Sequence, residues 1–356
     1  MTQIYDALLV LSFGGPEGMA DVMPFLENVL RGRNVPRERM VEVSHHYEMF
    51  GGVSPINNQN RALINALREA MPGHNINLPI YWGNRNWHPM LADTLEQMKA
   101  DGIKRALTFV TSAYSSYSGC RQYREDIAKA QAAVGDGAPQ FDKLRVYYNH
   151  PGFIEANADC VRAALDEIPL ERRAETRIAF TAHSIPASMA TNCAYEAQLL
   201  ETCRLVAEAV NHTHWQLVYQ SRSGQANQAW LEPDICDYLR TLRAEAVADV
   251  VISPVGFISD HMEVLFDLDT EALQVSHELG LNMIRAATVG THPAFVNMIC
   301  DLITERMNDN AVRRFTGTRG ANHDVCPVDC CLPAVRPAIS NGARPASNTA
   351  ISASGD

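Results

Sequence analysis

Several absences narrow the reading of this sequence before any motif is considered. No window approaches the roughly 20 consecutive apolar residues that a bilayer-spanning helix needs. The opening Met1-Thr-Gln-Ile-Tyr-Asp has neither the basic region nor the apolar run of a secretory signal. Positive charge is also short: 30 Lys and Arg against 41 Asp and Glu leave 30 − 41 = −11, with the twelve histidines neutral. Such a surface repels phosphates and anionic lipid, so nucleic acid and membrane are not expected partners. It suits a protein that attracts a metal cation. No helical stretch carries a heptad seam, so an oligomeric state is not legible. The expected location is the cytoplasm, where thiols stay reduced. The nine cysteines then read as core residues or metal ligands before they read as disulfides.

What is present is a globular composition, 46% hydrophobic and 20% charged over 356 residues. That length suits two α/β domains better than one core. Short apolar runs alternate with longer helical patterns, the mark of parallel sheets covered by helices. The expected strands are Ala7–Leu11, Ile76–Trp82, Arg105–Thr111 and Leu144–Tyr148, then Arg177–Thr181, Gln216–Gln220, Val250–Ser253 and Leu281–Arg285. Amphipathic helices such as Arg61–Met71, Tyr195–Val210 and Ala294–Met307 lie between them. The fold class is therefore α/β, with two doubly wound parallel four-stranded sheets. The expected domains are 1–165 and 166–310, followed by a cysteine-bearing extension at 311–333. The composition of 334–356, rich in Ala, Ser, Pro, Asn and Gly, predicts a disordered tail.

Ligands in open α/β sheets sit beyond the carboxyl ends of the strands, so the residues after each strand carry most of the weight. Arg177–Thr181 runs into Ala182-His183-Ser184-Ile185-Pro186. An imidazole there suits a base or a borderline metal, or it simply closes a backbone carbonyl. Val250–Ser253 runs into a segment from which Glu263, Asp267 and Glu271 follow at four-residue spacing. On an α-helix that spacing makes one stripe of carboxylates, whose mutual repulsion a cation relieves. A solvated helix face has the same spacing, although Val264, Leu265, Phe266 and Leu268 bury part of this one. Ala7–Leu11 ends in Ser12-Phe13-Gly14-Gly15-Pro16-Glu17-Gly18, a turn where backbone approaches a ligand closely. It holds neither GxGxxG nor GKS, so a nucleotide is not expected. Arginine, hydroxyl and aromatic groups in the nearby loops suit a flat ligand with carboxylate arms.

Together these segments resemble the ferrochelatase family, whose members place Fe²⁺ in a porphyrin. The matching pieces are LLVLSFGGPEG, HYEMFGGVSP, SAYSSYSGCRQY, FTAHSIP, YQSRSGQANQAWLEPD and SPVGFISDHMEVLFDLD, in the family's order over about residues 5–305. The resemblance implies two Rossmann-like domains with the active site in the cleft between them. It implies His183 and Glu263 as catalytic residues and metal ligands, with Asp267 and Glu271 continuing a metal route. It implies substrate contacts from Phe13, Arg31, Tyr47, Ser54 and Tyr123. Phe13 has no oxygen where coproporphyrin-using relatives carry a tyrosine, so it packs on the ring and does not bind metal. The polar stretch from Arg31 to Met40 favours coproporphyrin III, giving coproheme, over protoporphyrin IX. A cobalt chelatase of the same layout and a non-catalytic haem-binding protein are the rival readings. A handover partner for the product is the further contact implied. Some relatives hold a [2Fe–2S] cluster, and the resemblance implies Cys160, Cys326, Cys330 and Cys331 as its ligands here. A zinc site or free thiols are the simpler readings of the same residues.

Overall fold

The computed structural model describes residues 5–32, 35–223 and 227–333. The expected tail at 334–356 lies outside the described residues, as does the middle of the segment after Gln220.

Eight strands form two parallel four-stranded sheets. The first contains β1 (Ala7–Ser12), β2 (Ile80–Asn84), β3 (Arg105–Val110) and β4 (Gln140–Lys143), ordered β2-β1-β3-β4. The second contains β5 (Arg177–His183), β6 (Trp215–Gln220), β7 (Asp249–Ser253) and β8 (Asn282–Arg285), ordered β6-β5-β7-β8. The inner strands β1 and β7 are buried at every position, as parallel strands covered on both faces must be.

Two expected strands move along the chain. Leu144–Tyr148 is not β4: the pairing strand is Gln140–Lys143, and Leu144 continues it by one bond to the Thr108 carbonyl at 2.9 Å. β4 is a sheet edge, so it needs little apolar surface, and Phe141 is its one apolar residue. The more apolar Leu144, Val146, Tyr147 and Tyr148 are buried in the main core instead. The other edge strand, β2, starts at Ile80, later than Ile76.

One core joins the halves. It takes Leu8, Val10, Leu107 and Phe109 from the first sheet and Ile178, Phe180, Leu217 and Tyr219 from the second. The helix Pro151–Asp166 packs on β7, β8 and the helix Tyr195–Ala209. The helix Pro293–Met307 packs on it and also reaches back to Ile56–Ala70 of the first half. Gly152 permits that crossing, because a Cβ there would lie 2.5 Å from the Ala294 carbonyl oxygen. The extension after residue 310 is anchored from beneath. Buried Arg145 forks onto Glu305 at 2.7 and 3.0 Å and donates to the Arg314 carbonyl at 2.7 Å. Such a buried pair sets geometry well, and removing one partner strands the other charge. Among the described residues, no helix is long and apolar enough to cross a membrane.

Candidate active site and thiol site

In both sheets the chain winds first to one side of its opening strand and then to the other. The β1/β3 and β5/β7 gaps are therefore the places where loops diverge and leave a crevice. His183 is the last residue of β5, and the segment carrying Glu263 comes after β7. The sheet thus delivers imidazole and carboxylate to one crevice. His183 Nδ1 bonds the Ser184 carbonyl, which directs Nε2 outward, 3.6 Å from Glu263 Oε1. Tyr195 Oη donates to the His183 carbonyl at 3.0 Å and steadies the strand end.

Burial acts to lower the His183 pKa, yet the Glu263 charge and hydrogen bond and the Ser184 carbonyl together raise it to about 9. Burial likewise opposes the Glu263 carboxylate, but His183 and then His261 bring it down to about 2. The pair is therefore an imidazolium and a carboxylate at neutral pH. Its side chains are 32% and 51% exposed, so solvent screens the attraction, which acts on protonation more than on stability.

The acidic stripe is not one continuous α-helix. An α-turn, Met262–Phe266, gives way to a π-turn, Asp267–Ala272, before α-helix resumes at Leu273–Leu279. Single π-turns inside α-helices are frequent at functional sites. The carboxylates also differ in surroundings. Burial, then the charges of Glu263 and Glu271, raise Asp267 to about 7 against the hydrogen bonds from Ser221 and Gln220. Glu271 is exposed, and its pKa is raised by partial burial and by Asp234. His261, which no sequence pattern marks, accepts the Glu263 N–H at 3.2 Å and stands 3.9 Å from Glu263 Oε2. Burial lowers its pKa against the pull of the Glu263 charge.

The first half contributes aromatic surface. Phe13 is 38% exposed and meets Phe25 edge-on at 6.3 Å. Phe25 in turn meets Tyr47 at 6.0 Å. Tyr47 packs in one cluster with Met262, and its hydroxyl pKa is raised by burial and by the Glu263 charge. His46 stacks on Phe266 at 3.6 Å, closing this end of the cleft. Ser54 is buried under Gly15, where a Cβ would lie 2.7 Å from the Ser54 Cβ. Arg31 is exposed and lines a pocket of about 370 Å³ with Trp87, His88 and Met90.

Tyr123 is 4% exposed and belongs to the first sheet's core. The Arg85 guanidinium covers it at 4.5 Å and lies 5.8 Å from the Phe13 ring, held by Asp126 at 2.5 Å. Arg85 therefore covers Tyr123, with its own side chain only 6% exposed and its charge answered by Asp126. An arginine after β2 has no local signature that singles it out, which is why residue spacing alone passes over it.

The cysteines regroup as well. Cys160 points at the Thr288 carbonyl, 3.9 Å away, among Leu165 and Ile284. The thiol that meets Cys326 is Cys120, from the π-turn Tyr117–Arg121 after β3. The Cys326 hydrogen bond, with help from Lys143 and Arg124, holds Cys120 well below the usual thiol range. Cys330 and Cys331 have their sulfurs 3.3 Å apart. Arg121 donates to the Val328 and Cys330 carbonyls, and Arg124 to that of Cys326. Two thiol pairs thus lie in cationic surroundings. The donor atoms of His323, Cys326 and Cys330 also lie within 4.8 Å of one another.

Two four-stranded parallel sheets are the fold that this chain shares with solved chelatases. SirB from Bacillus subtilis, solved with Fe³⁺, matches 88% of this chain and 100% of its own at a TM-score of 0.54 and 11% identity. The multi-domain Deinococcus radiodurans protein DR2241, described as structurally similar to chelatases, matches 88% of this chain and 57% of its own, with a TM-score of 0.51 and 13% identity. The ferrochelatase family model covers residues 5–307, and the chain belongs to that family. A ferrochelatase from Rhodopirellula baltica is 58% identical over 96% of this chain and 97% of its own. Coproporphyrin III ferrochelatases from Streptomyces coelicolor and Nocardia farcinica are 53% and 49% identical, over 96% and 94% of this chain and 97% and 99% of theirs.

Proposed function

We propose that this chain inserts ferrous iron into coproporphyrin III in the cytoplasm, with His183 and Glu263 at the reacting centre. The observation that carries the assignment of roles is the 3.6 Å approach of His183 Nε2 to Glu263 Oε1 at the mouth of the crevice. Metalation must remove two pyrrole protons, and an imidazolium accepts none. The same geometry supplies the release. A divalent cation arriving at Glu263 withdraws the support that keeps His183 protonated, and burial then favours the neutral imidazole. His183 gives its proton to solvent, to which its side chain is 32% exposed, and becomes a base for a pyrrole proton as iron comes within reach. Asp267 and Glu271 form the approach to Glu263, while Phe13 packs on the ring and offers the metal nothing.

Coproporphyrin is favoured by the naming of close relatives and by the charge at the first-half rim. Exposed Arg31 suits a ring with four carboxylate arms, with Tyr47, Ser54 and Tyr123 as the further first-half contacts of the reading. Side-by-side insertion assays with coproporphyrin III and protoporphyrin IX test this. A larger kcat/KM on coproporphyrin is expected, and preference for protoporphyrin would overturn the substrate reading.

For the thiols, Cys120, Cys326, Cys330 and Cys331 replace the set expected with Cys160 as ligands of a [2Fe–2S] cluster. Bound there, the cluster would supply a one-electron centre outside the insertion chemistry. Anaerobically purified chain should carry two cluster irons with visible absorption. Four irons or none would reject it.

A further inference from the structure

Gln220 and Ser221 have no part in the roles above, yet they hold the acidic segment to the sheet that bears His183. Gln220 ends β6 in register with His183 of β5, and it is 1% exposed. Its Nε2 donates to the Glu263 carbonyl and to Asp267 Oδ2, each at 3.2 Å. Its Oε1 is buried with no partner among the described residues. Ser221 comes next with φ +61, a left-handed backbone that residues with a Cβ seldom adopt unless their surroundings impose it. Its hydroxyl donates to the same Asp267 oxygen. Asp267 is also the residue at which the α-turn becomes a π-turn.

We infer that Gln220 and Ser221 are positioning residues for iron delivery. Two neutral donors occupy Asp267 Oδ2 and leave Oδ1 to take the incoming cation on its way to Glu263. The second Gln220 bond, to the Glu263 carbonyl, sets the spacing between the two carboxylates. Neutral donors are suited to this task, because a lysine or arginine in their place would compete with the cation for the carboxylate. A merely structural cap on the helix bend would be equally served by any donor and would leave metal kinetics alone. The inference rests on the assignment of Asp267 to the metal route.

Steady-state metalation by the full chain tests it, with ferrous iron and coproporphyrin III varied in turn. Ser221→Gly accepts the positive φ and removes only the hydroxyl. It should raise the KM for iron about tenfold, with the porphyrin KM within about twofold and the melting temperature nearly unchanged. Gln220→Leu should act in the same direction. Ser221→Asn tolerates the left-handed backbone and restores a donor, so it should recover most of the loss. In an Asp267→Ala background, Ser221→Gly should add less than about twofold, because both changes act through one carboxylate. Unchanged iron KM in Ser221→Gly and Gln220→Leu, or effects that multiply with Asp267→Ala, would overturn the inference. If Ser221→Gly does not fold, the Gln220→Leu and Asp267→Ala cycle decides alone. An Asp267→Ala chain with native iron KM would reject the metal route itself and this inference with it. Multiplying effects reject the inference only.

Discussion

The two sheets share a strand order and a number of strands, and they differ almost entirely in the loops at the carboxyl ends of those strands. After β1, β2 and β3 come glycine, hydroxyl and aromatic residues with Arg85 over Tyr123. The ends of β5 and β6 carry His183 and Gln220, and after β6 and β7 come Ser221 and the segment with Glu263 and Asp267. The first set shapes a surface and presents cationic charge. To the second the proposed reaction assigns the protons and the cation. A repeated scaffold can divide labour in this way because strands carry the packing and loops are free to vary. The division makes a kinetic claim: changes in the second half should lower turnover, and changes in the first should weaken ring binding.

The largest effect expected is His183→Ala, a loss of about a thousandfold or more in kcat with coproporphyrin binding retained. Stopped-flow metalation together with porphyrin fluorescence quenching measures both. Equal losses in binding would break the division. Glu263→Gln should cost about a hundredfold in kcat, and less if Asp267 substitutes for it. On the other side, Arg31→Ala should raise the porphyrin KM about tenfold and leave kcat within about threefold. The smallest effect on turnover belongs to the thiol site. Cys120→Ser should abolish the visible chromophore and Cys160→Ser should preserve it, with iron content per chain as the readout.

The pair also predicts a pH dependence. A His183 pKa raised to about 9 above an unfolded value near 6.5 gives stability that is complete below about pH 6.5. That contribution fades as pH rises through about 9. The depressed Glu263 works at the other end, contributing above its ordinary range and fading as pH falls toward about 2. Partial exposure keeps both contributions small.

Much of this is legible in the sequence. The inner strands β1, β3, β5 and β7 read correctly because burial on both faces makes them continuous apolar runs. The edge strands β6 and β8 read to within one residue as well, but β2 and β4 do not: Gln140–Lys143 needs few apolar residues, while the core-packed 144–148 stretch beside it is rich in them. His183 and Glu263 are visible because each comes after a strand that reads clearly. The π-turn at Asp267 is not, because one extra residue per turn leaves no mark in a short pattern. Arg85 escapes for want of any motif around it. Cys120 goes unread beside Cys160 because spacing does not reveal which thiol meets a distant extension. The hydrogen bond from Cys326 reveals it.

The central claim is that His183 and Glu263 titrate as one unit, and a ¹⁵N NMR titration of the His183 ring addresses it most directly. In the native chain the imidazole should titrate near 9. In Glu263→Gln it should fall below the ordinary histidine value, because burial is then left largely unopposed. A native value at or below 6.5, or one that Glu263→Gln leaves unmoved, would contradict the account.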